Sequence, residues 1–340
     1  MNAKKRRQLV ILLIALGVVL VMLAGVLFLN YLDEKKAEDA ILHVETVENL
    51  TGMTFVNGTE EDAFTAQTDE EGNITWTYDA DGDFPAADST LNDLKSQVEE
   101  LTASREISIE DDLSAYGLET PERSLTLTGE DGTTATLLIG GTSGESYYCM
   151  LEGADSIYVI DSTLPDALPE TLTDLAELGT FPALSEDIIQ TVRVTGKTDQ
   201  TLTVTEEAGE TDGDAATYRW TCGDLDITED SFLTTFRTQL DSVTMSELSA
   251  FKPTQTELQE SGVLDPTAEI TVTYTEDEET KTATLTIGNY DEDTDCYYCL
   301  LDGDTTLLYT AQADGLSDLV AVAQQGYSAA SVASEEDTGA

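Results

Sequence analysis

The sequence predicts an α+β protein in which a single N-terminal transmembrane helix is followed by two tandem repeated domains. Each domain is expected to be an antiparallel meander sheet with segregated helices. Two observations predict this: an apolar run near the N-terminus has the length of a membrane span, and a set of short motifs occurs twice in the same order. Runs of two-residue alternation are grouped in each copy, apart from the helical patterns, which is typical of the α+β class.

The repeat is clearest in two pairs of segments. Residues 135–140 read ATLLIG and residues 283–288 read ATLTIG. Each is followed by a second shared segment, YYCMLEG at 147–153 and YYCLLDG at 297–303. Because the flanking segments recur in the same order, we interpret the repeat as a duplicated domain of roughly 140 residues, a common size for an independent fold.

The predicted organisation of the chain follows from the apolar run and the repeat. The residues from 328 onward are small and acidic, a composition typical of a disordered tail. The predicted segments are a cytoplasmic basic segment at 1–8, a transmembrane anchor at 9–29, a stalk at 30–43, a first repeat domain at 44–179, a second repeat domain at 180–327 and the tail at 328–340.

The predicted anchor, residues 9–29, is apolar throughout and is interrupted only by small residues such as Gly17 and Gly25. A helix of this length spans a bilayer core at 1.5 Å per residue. The run is too long for the apolar core of a cleaved signal, and no cleavage pattern follows, so we predict a retained signal anchor. The basic residues 4–7 precede it. They predict a single-pass protein of the cell membrane with a cytoplasmic N-terminus and extracytoplasmic C-terminal domains.

The chain of 340 residues is strongly acidic, with a formal net charge of −53. A field of this sign repels phosphate backbones, which excludes nucleic acid as an expected partner. The partners it favours are cations and basic protein surfaces. Net charge bears on solubility and not on fold, so a solvated acidic surface is the plainer interpretation.

Local patterns predict the elements of the first copy. Short strands are expected at 55–57, 63–68 and 74–78, separated by Gly, Asn and acidic turns. An amphipathic helix follows, with one apolar face made by Leu91, Leu94, Val98 and Leu101. A Gly-to-Pro turn at 117–121 leads back into alternating strands, and a closing helix is predicted over 164–178.

The second copy predicts the same series. Strands at 191–195 and 201–205 precede Trp220, the counterpart of Trp76, and each Trp is expected in the core of its domain. A second helix presents the apolar stripe Phe232, Leu233, Phe236, Leu240 and Val243. A turn at 262–266, alternating strands and a closing helix over 316–323 complete the copy.

The sequence offers no catalytic motif. His43 is the single histidine and lies beside the stalk. The Gly-x-Ser-x-Gly motif of hydrolases, the glycine-rich nucleotide-binding loops and the His-Glu-x-x-His motif of zinc peptidases are missing. Cys296 and Cys299 have dithiol spacing, but on a strand residues three apart point to opposite faces. We therefore expect buried structural thiols and no enzymatic activity.

The only metal candidate is a calcium site. Asp291, Asp293 and Asp295 alternate in a loop, and Asp302 stands where an acid would close a calcium loop. Cys296 occupies the position that requires glycine, and the flanks are predicted strands rather than helices. A solvated hairpin loop is the alternative. A similar cluster of Asp residues lies around Gly82, and no other cofactor is expected.

These features resemble the bacterial family catalogued as domain of unknown function 4340. The resemblance rests on REI at 105–107, YGLETP at 116–121, TLLIG at 136–140, the Tyr pair at 147–148 and YVID at 158–161. The second copy departs from it, with SGVLDP at 261–266. The resemblance implies a membrane-anchored extracytoplasmic protein of the kind often found beside ABC-2 type transporters, and it carries no catalytic residues.

Two functions remain open. The first is a non-enzymatic accessory or scaffold protein whose anchor and domains associate with subunits of an ABC-type export complex, as the resemblance implies. The alternative is an acidic cell-envelope module that binds calcium or another cationic ligand through its acidic loops.

Overall fold

The computed structural model describes residues 42–109, 112–208 and 216–338. The basic segment 1–8 and the predicted anchor 9–29 lie outside these residues. Within the described ranges, no helix combines the length and apolar character needed to cross a membrane. The predicted localisation as a single-pass membrane protein is corrected to this finding, since the described residues supply no spanning helix.

The predicted α+β class is also corrected, because the described residues are mostly β and form large antiparallel sheets. The first sheet has eight strands, in the spatial order β4-β3-β2-β7-β8-β9-β10-β6, and the short strands β1 and β5 pair separately. These strands are β1 (Leu42–His43), β2 (Leu50–Asn57), β3 (Glu60–Thr68), β4 (Ile74–Tyr78), β5 (Thr102–Ala103), β6 (Arg105–Ser108), β7 (Arg123–Gly129), β8 (Thr134–Ser143), β9 (Ser146–Leu151) and β10 (Ser156–Ile160).

The second sheet has nine strands, in the order β14-β13-β12-β11-β16-β17-β18-β19-β15. Apart from the extra edge strand β14, this order matches that of the first sheet position by position. The strands are β11 (Ile189–Thr195), β12 (Asp199–Glu207), β13 (Thr217–Cys222), β14 (Leu225–Asp226), β15 (Glu247–Phe251), β16 (Ala268–Glu276), β17 (Glu279–Asp291), β18 (Cys296–Leu301) and β19 (Leu307–Gln312). Alternation along the strands explains the sheets: in β16 every second residue from Ala268 to Tyr274 is buried.

Six helices accompany the sheets in the described residues: α1 (Asp88–Glu99), α2 (Thr163–Ala167), α3 (Ser231–Asp241), α4 (Gln255–Glu260), α5 (Ser317–Gln325) and α6 (Tyr327–Thr338). Three 3₁₀ turns cover Leu113–Tyr116, Leu172–Leu175 and Asp314–Leu316. The predicted stripes are buried, since Leu91, Leu94 and Val98 of α1 have no exposed surface. Asp230 starts α3 by accepting a hydrogen bond from the Phe232 amide over 3.0 Å.

The chain divides into two compact units that are not consecutive in sequence. Among the described residues, the first unit contains those up to Thr75 and those within Asn92–Leu168, and the second contains Trp76–Leu91 and those from Pro169 onward. The expectation of two tandem domains is therefore wrong, although the two sheets share an order of strands. A segment from inside the first repeat belongs to the second unit.

Backbone pairing explains the assignment of that segment. The Ala87 amide donates to the Leu175 carbonyl over 2.8 Å, and the Glu177 amide donates to the Pro85 carbonyl over 2.7 Å. The Phe84 ring lies edge-on to Phe251, with 5.3 Å between the ring centroids. All of these residues belong to the second unit.

The closing helix predicted over 164–178 is much shorter in the structure. Helix α2 ends at Ala167, and Leu168 is extended with a ψ of 135°. Pro169 explains this, because the residue before a proline is disfavoured in the helical region. A capping box of Thr171 and Asp174 then begins a separate 3₁₀ turn.

The predicted tail is largely helical. Helix α6 runs through Thr338, and near its start Tyr327 and Ala330 are buried. The Ser331 hydroxyl donates to the Asp230 carboxylate over 2.9 Å. Within the predicted tail, Ala330 is buried and Ser331 is half-buried, whereas Val332 is 58% exposed.

Candidate functional site

The motif shared by both repeats forms a tight backbone contact. In the first unit the 3₁₀ turn that ends at Tyr116 lies directly against β8. A Cβ atom at Gly140 would stand 2.4 Å from the Tyr116 carbonyl oxygen, closer than any real Cβ contact. Only glycine permits this approach. The motif is therefore explained by packing.

The second unit repeats the contact. A Cβ atom at Gly288 would stand 2.2 Å from the Ser261 carbonyl oxygen. The amide of Asn289 donates to the same oxygen over 2.7 Å, and the Asn289 side chain donates to the Glu260 carbonyl over 2.9 Å. Gly117 and Gly262, one residue after Tyr116 and Ser261, adopt left-handed φ values of 70° and 74°. The predicted turns at 117–121 and 262–266 thus begin in equivalent conformations.

The shared thiols are buried as expected. Cys149 and Cys299 have no exposed surface, and burial raises the pKa of each to about 12. Cys296 and Cys299 are both free, and the Cys296 sulfur instead accepts a hydrogen bond from the Gln312 side chain over 3.2 Å. A thiolate nucleophile at Cys149 or Cys299 is disfavoured by desolvation.

Three of the four proposed calcium ligands share one turn. Asp291 accepts hydrogen bonds from the Asp293 amide over 3.0 Å and from the Thr294 hydroxyl over 3.1 Å. Asp295 accepts one from the Tyr290 hydroxyl over 2.7 Å, which raises the pKa of Tyr290 to about 12. The carboxylates of Asp291 and Asp295 are thus already engaged by neighbours in the turn between β17 and β18.

Asp302 lies elsewhere. It follows β18, whereas the other three precede that strand, and six residues of strand separate the ends by roughly 20 Å. Its carboxylate accepts a hydrogen bond from the Thr284 amide over 2.8 Å. In the described part of the chain no group of three or more His, Cys, Asp or Glu side chains is arranged to hold a metal.

The acidic loop around Gly82 contains an internal cation that the sequence patterns did not indicate. The Lys252 ammonium lies 2.6 Å from Asp81 and 3.1 Å from Asp83. These hydrogen bonds raise the pKa of Lys252 and, with the Asp83 amide, hold the pKa of Asp81 below its ordinary value. No local pattern could reveal this contact, because the partners are 171 residues apart.

Two cavities lie beside the edge strand β15. One of about 420 Å³ is bounded by residues of β15, including Glu247 and Leu248, and by Thr171 and Asp174. A smaller one of about 180 Å³ lies between β15, α4 and the two neighbouring strands, with Tyr298 in its wall. The sequence patterns did not predict β15, so neither cavity could be anticipated.

The chain forms an antiparallel β-sheet protein. The motifs that recur in its two sheets allow a turn to pack closely on a strand. Residues 76–231 match the family model described as "Domain of unknown function (DUF4340)". The resemblance predicted from the motifs is thereby confirmed, over slightly less than half of the chain. The comparison with curated proteins gives no match. The comparison with solved structures gives none either.

Proposed function

We propose that this protein is a non-enzymatic accessory or scaffold protein that acts by binding another protein. The observation that carries this proposal is that the motifs shared by the two copies serve packing. Gly140 and Gly288 allow a turn to pack on a strand, and Cys149 and Cys299 are fully buried. These residues, retained in both copies, thus support the sheets, and the two shared thiols have no exposed surface.

The partner to test first is an ABC-type export complex. The DUF4340 match supports this choice, because the family resemblance implies an accessory role beside such transporters. The acidity of the chain, with a net charge of −53, favours a partner with a basic surface.

Affinity purification from detergent extracts tests the association. The tagged full-length protein should recover ATP-binding cassette subunits, and crosslinking in intact cells should capture the same subunits. An equally acidic tagged protein of unrelated fold controls for charge. Recovery of the protein as a monomer after crosslinking, with no transporter subunit attached, would contradict the proposal.

A calcium-binding module is the second candidate. It is favoured by the three carboxylates in the turn between β17 and β18, since calcium prefers several oxygen ligands. Calorimetry of the full-length protein with calcium should give a heat that disappears when Asp291, Asp293 and Asp295 are changed to Asn. The matched control is Asp302→Asn, which lies at the other end of β18. Heat that survives the triple change would indicate diffuse screening.

A further inference from the structure

A small apolar cluster in the first unit has a counterpart in the second that is only partly filled. The first cluster packs Leu118, Met150 and Ile157 with the half-buried Ile107, Tyr116 and Tyr148. The Tyr116 ring lies edge-on to Tyr148, with 5.0 Å between the centroids. The side chains in this cluster are large, and they come from β6, from the 3₁₀ turn and Leu118 just after it, and from the strands β9 and β10.

Strand register defines the counterparts. Ile107 lies opposite Ile157 in the first sheet, and Ala250 lies opposite Leu308 in the second. Because β6 matches β15 in strand order, Ala250 stands in the place of Ile107. Tyr148 and Tyr298 are the second residues of the matching Tyr pairs.

The turn that leads into Gly117 or Gly262 supplies the second difference between the two clusters. Gly117 and Gly262 are equivalent in sequence and in backbone conformation, so Ser261 stands in the place of Tyr116. Two large apolar side chains of the first cluster are thus replaced by small ones at adjacent positions. The cluster of the second unit keeps Leu258, Val263, Leu300 and Leu308, with Ala250 and Tyr298 packed against it.

The space left by these two replacements is the cavity of about 180 Å³. Ala250, Ser261, Leu308 and Tyr298 line it, and Glu257 and Glu260 of α4 complete the wall. A pocket for a drug-sized ligand spans about 300–1,000 Å³. This cavity suits one side chain.

The lining determines which side chain fits. The Tyr116 ring occupies the equivalent place in the first unit, so a flat group matches the shape. Glu257 and Glu260 are exposed and add negative charge at the opening, so a cation matches the electrostatics. A guanidinium group is flat and cationic, stacks on aromatic rings and pairs with carboxylates.

We propose that this cavity binds the arginine side chain of an exposed segment of a partner protein. The proposal rests on the proposed function, because it assumes a protein partner, and it names the chemistry by which that partner is recognised. The carboxylate of Glu257 is already oriented by hydrogen bonds from the Thr254 amide and hydroxyl, over 2.7 Å and 2.8 Å. Glu260 makes the more adaptable contact.

A peptide titration of the full-length protein tests the proposal. The probe is a short capped Gly-Ser peptide with one arginine, and binding is followed by NMR shifts of the Tyr298 and Ser261 amides. Ser261→Tyr restores the residue of the first unit and should weaken binding at least about tenfold by filling the cavity. Glu260→Gln, on the exposed side of α4, should weaken it severalfold without risk to folding. Glu292→Gln removes one exposed charge elsewhere and should have no effect.

Matched peptides distinguish the alternatives. A lysine peptide that binds as well as the arginine peptide, with loss of both in salt, would show charge attraction alone and overturn the proposal. A tyrosine peptide that binds more tightly would overturn the choice of arginine. Unchanged binding in both Ser261→Tyr and Glu260→Gln would overturn the choice of cavity.

The outcome is separable from that of the proposed function. Arginine binding in the cavity without any co-purified partner would contradict the scaffold role and leave the site intact. Co-purification that is equal for the wild type and for Glu260→Gln and Ser261→Tyr would contradict the site and leave the scaffold role intact.

Discussion

Trp220 donates its indole N–H to Glu186 over 2.7 Å, and the second carboxylate oxygen of Glu186 accepts from Arg237 over 2.7 Å. The Trp220 side chain is fully buried, and the Arg237 guanidinium lies over its ring at 5.4 Å from the centroid. One carboxylate therefore satisfies a buried donor and positions a cation on the same ring.

Removal of that acceptor should destabilise the fold. Glu186→Leu leaves the buried indole N–H without a partner, and we expect a loss of about 1–3 kcal/mol in the free energy of unfolding. Glu186→Gln keeps an acceptor and should cost less. Urea unfolding followed by tryptophan fluorescence measures both. Glu206→Leu, an exposed strand position, should change stability by less than about 0.5 kcal/mol; equal losses for Glu186→Leu and Glu206→Leu would contradict the role of Glu186.

The glycine of the repeated motif should be intolerant of a single methyl group. Gly288→Ala places a Cβ atom 2.2 Å from the Ser261 carbonyl oxygen, so the turn must move away from the strand. We expect a loss of roughly 1–3 kcal/mol, measured as a lower urea midpoint. Gly315→Ala is the matched control, because a Cβ atom there meets no neighbour within 4 Å. A normal midpoint for Gly288→Ala would show that the turn and strand separate readily.

The ion pair of Lys252 and Asp81 makes the stability of the loop around Gly82 depend on pH. The pKa of Asp81 is lowered from 3.8 in the folded protein, chiefly by the Lys252 hydrogen bond. Its stabilising contribution is therefore present above the unfolded pKa and is lost as the pH falls through the folded pKa. Lys252→Met should raise the pKa of Asp81 toward 3.8 and reduce this loss.

Carboxyl NMR titration measures that change. Asp131 is the internal control, because its pKa is lowered by hydrogen bonds from Thr133 and should stay the same in Lys252→Met. An unchanged Asp81 titration in the variant would show that the ammonium does not hold this carboxylate in solution.

The thiols should differ in reactivity. Burial raises the pKa of Cys149 to about 12, whereas Cys222 is only partly buried, which also raises its pKa but leaves the thiol accessible to solvent. Because alkylation requires the thiolate, Cys149 should react with iodoacetamide at least about a hundredfold more slowly than Cys222 in the folded protein. Peptide mass spectrometry over time measures this. The two rates should converge in urea, and equal rates in the folded protein would contradict the burial of Cys149.

Local patterns were sufficient for the central strands of each sheet and for the apolar faces of α1 and α3. The alternation of Ala268, Ile270 and Val272 and the helical spacing of Leu91, Leu94 and Val98 depend on neighbouring residues, so period and burial agree. The helix predicted over 164–178 was too long because it ran through Pro169, and the structure ends the helix at Ala167. The tail predicted at 328–340 rested on composition alone, which does not indicate the helix that the structure places at Tyr327–Thr338.

Long-range contacts were beyond such patterns. Strands β6 and β15 are short edge strands whose pairing with β10 and β19 depends on the finished sheet. Because β15 was not predicted, Ala250 could not be aligned with Ile107 from the sequence. The replacement of Tyr116 by Ser261 in the second copy was visible in the sequence. The contact of Lys252 with Asp81 likewise depends on the fold of the second unit.

The assignment of Trp76–Leu91 to the second unit bears on how the polypeptide is synthesised and dissected. This segment leaves the ribosome long before Leu175 and Phe251, with which it pairs, have been translated. The second unit therefore completes its fold only by capturing a stretch made much earlier. A truncated version that starts at Pro169, where the second unit resumes, would lack that stretch and leave Leu175 and Glu177 without their pairing partners, so expression of this part alone should yield an incomplete product.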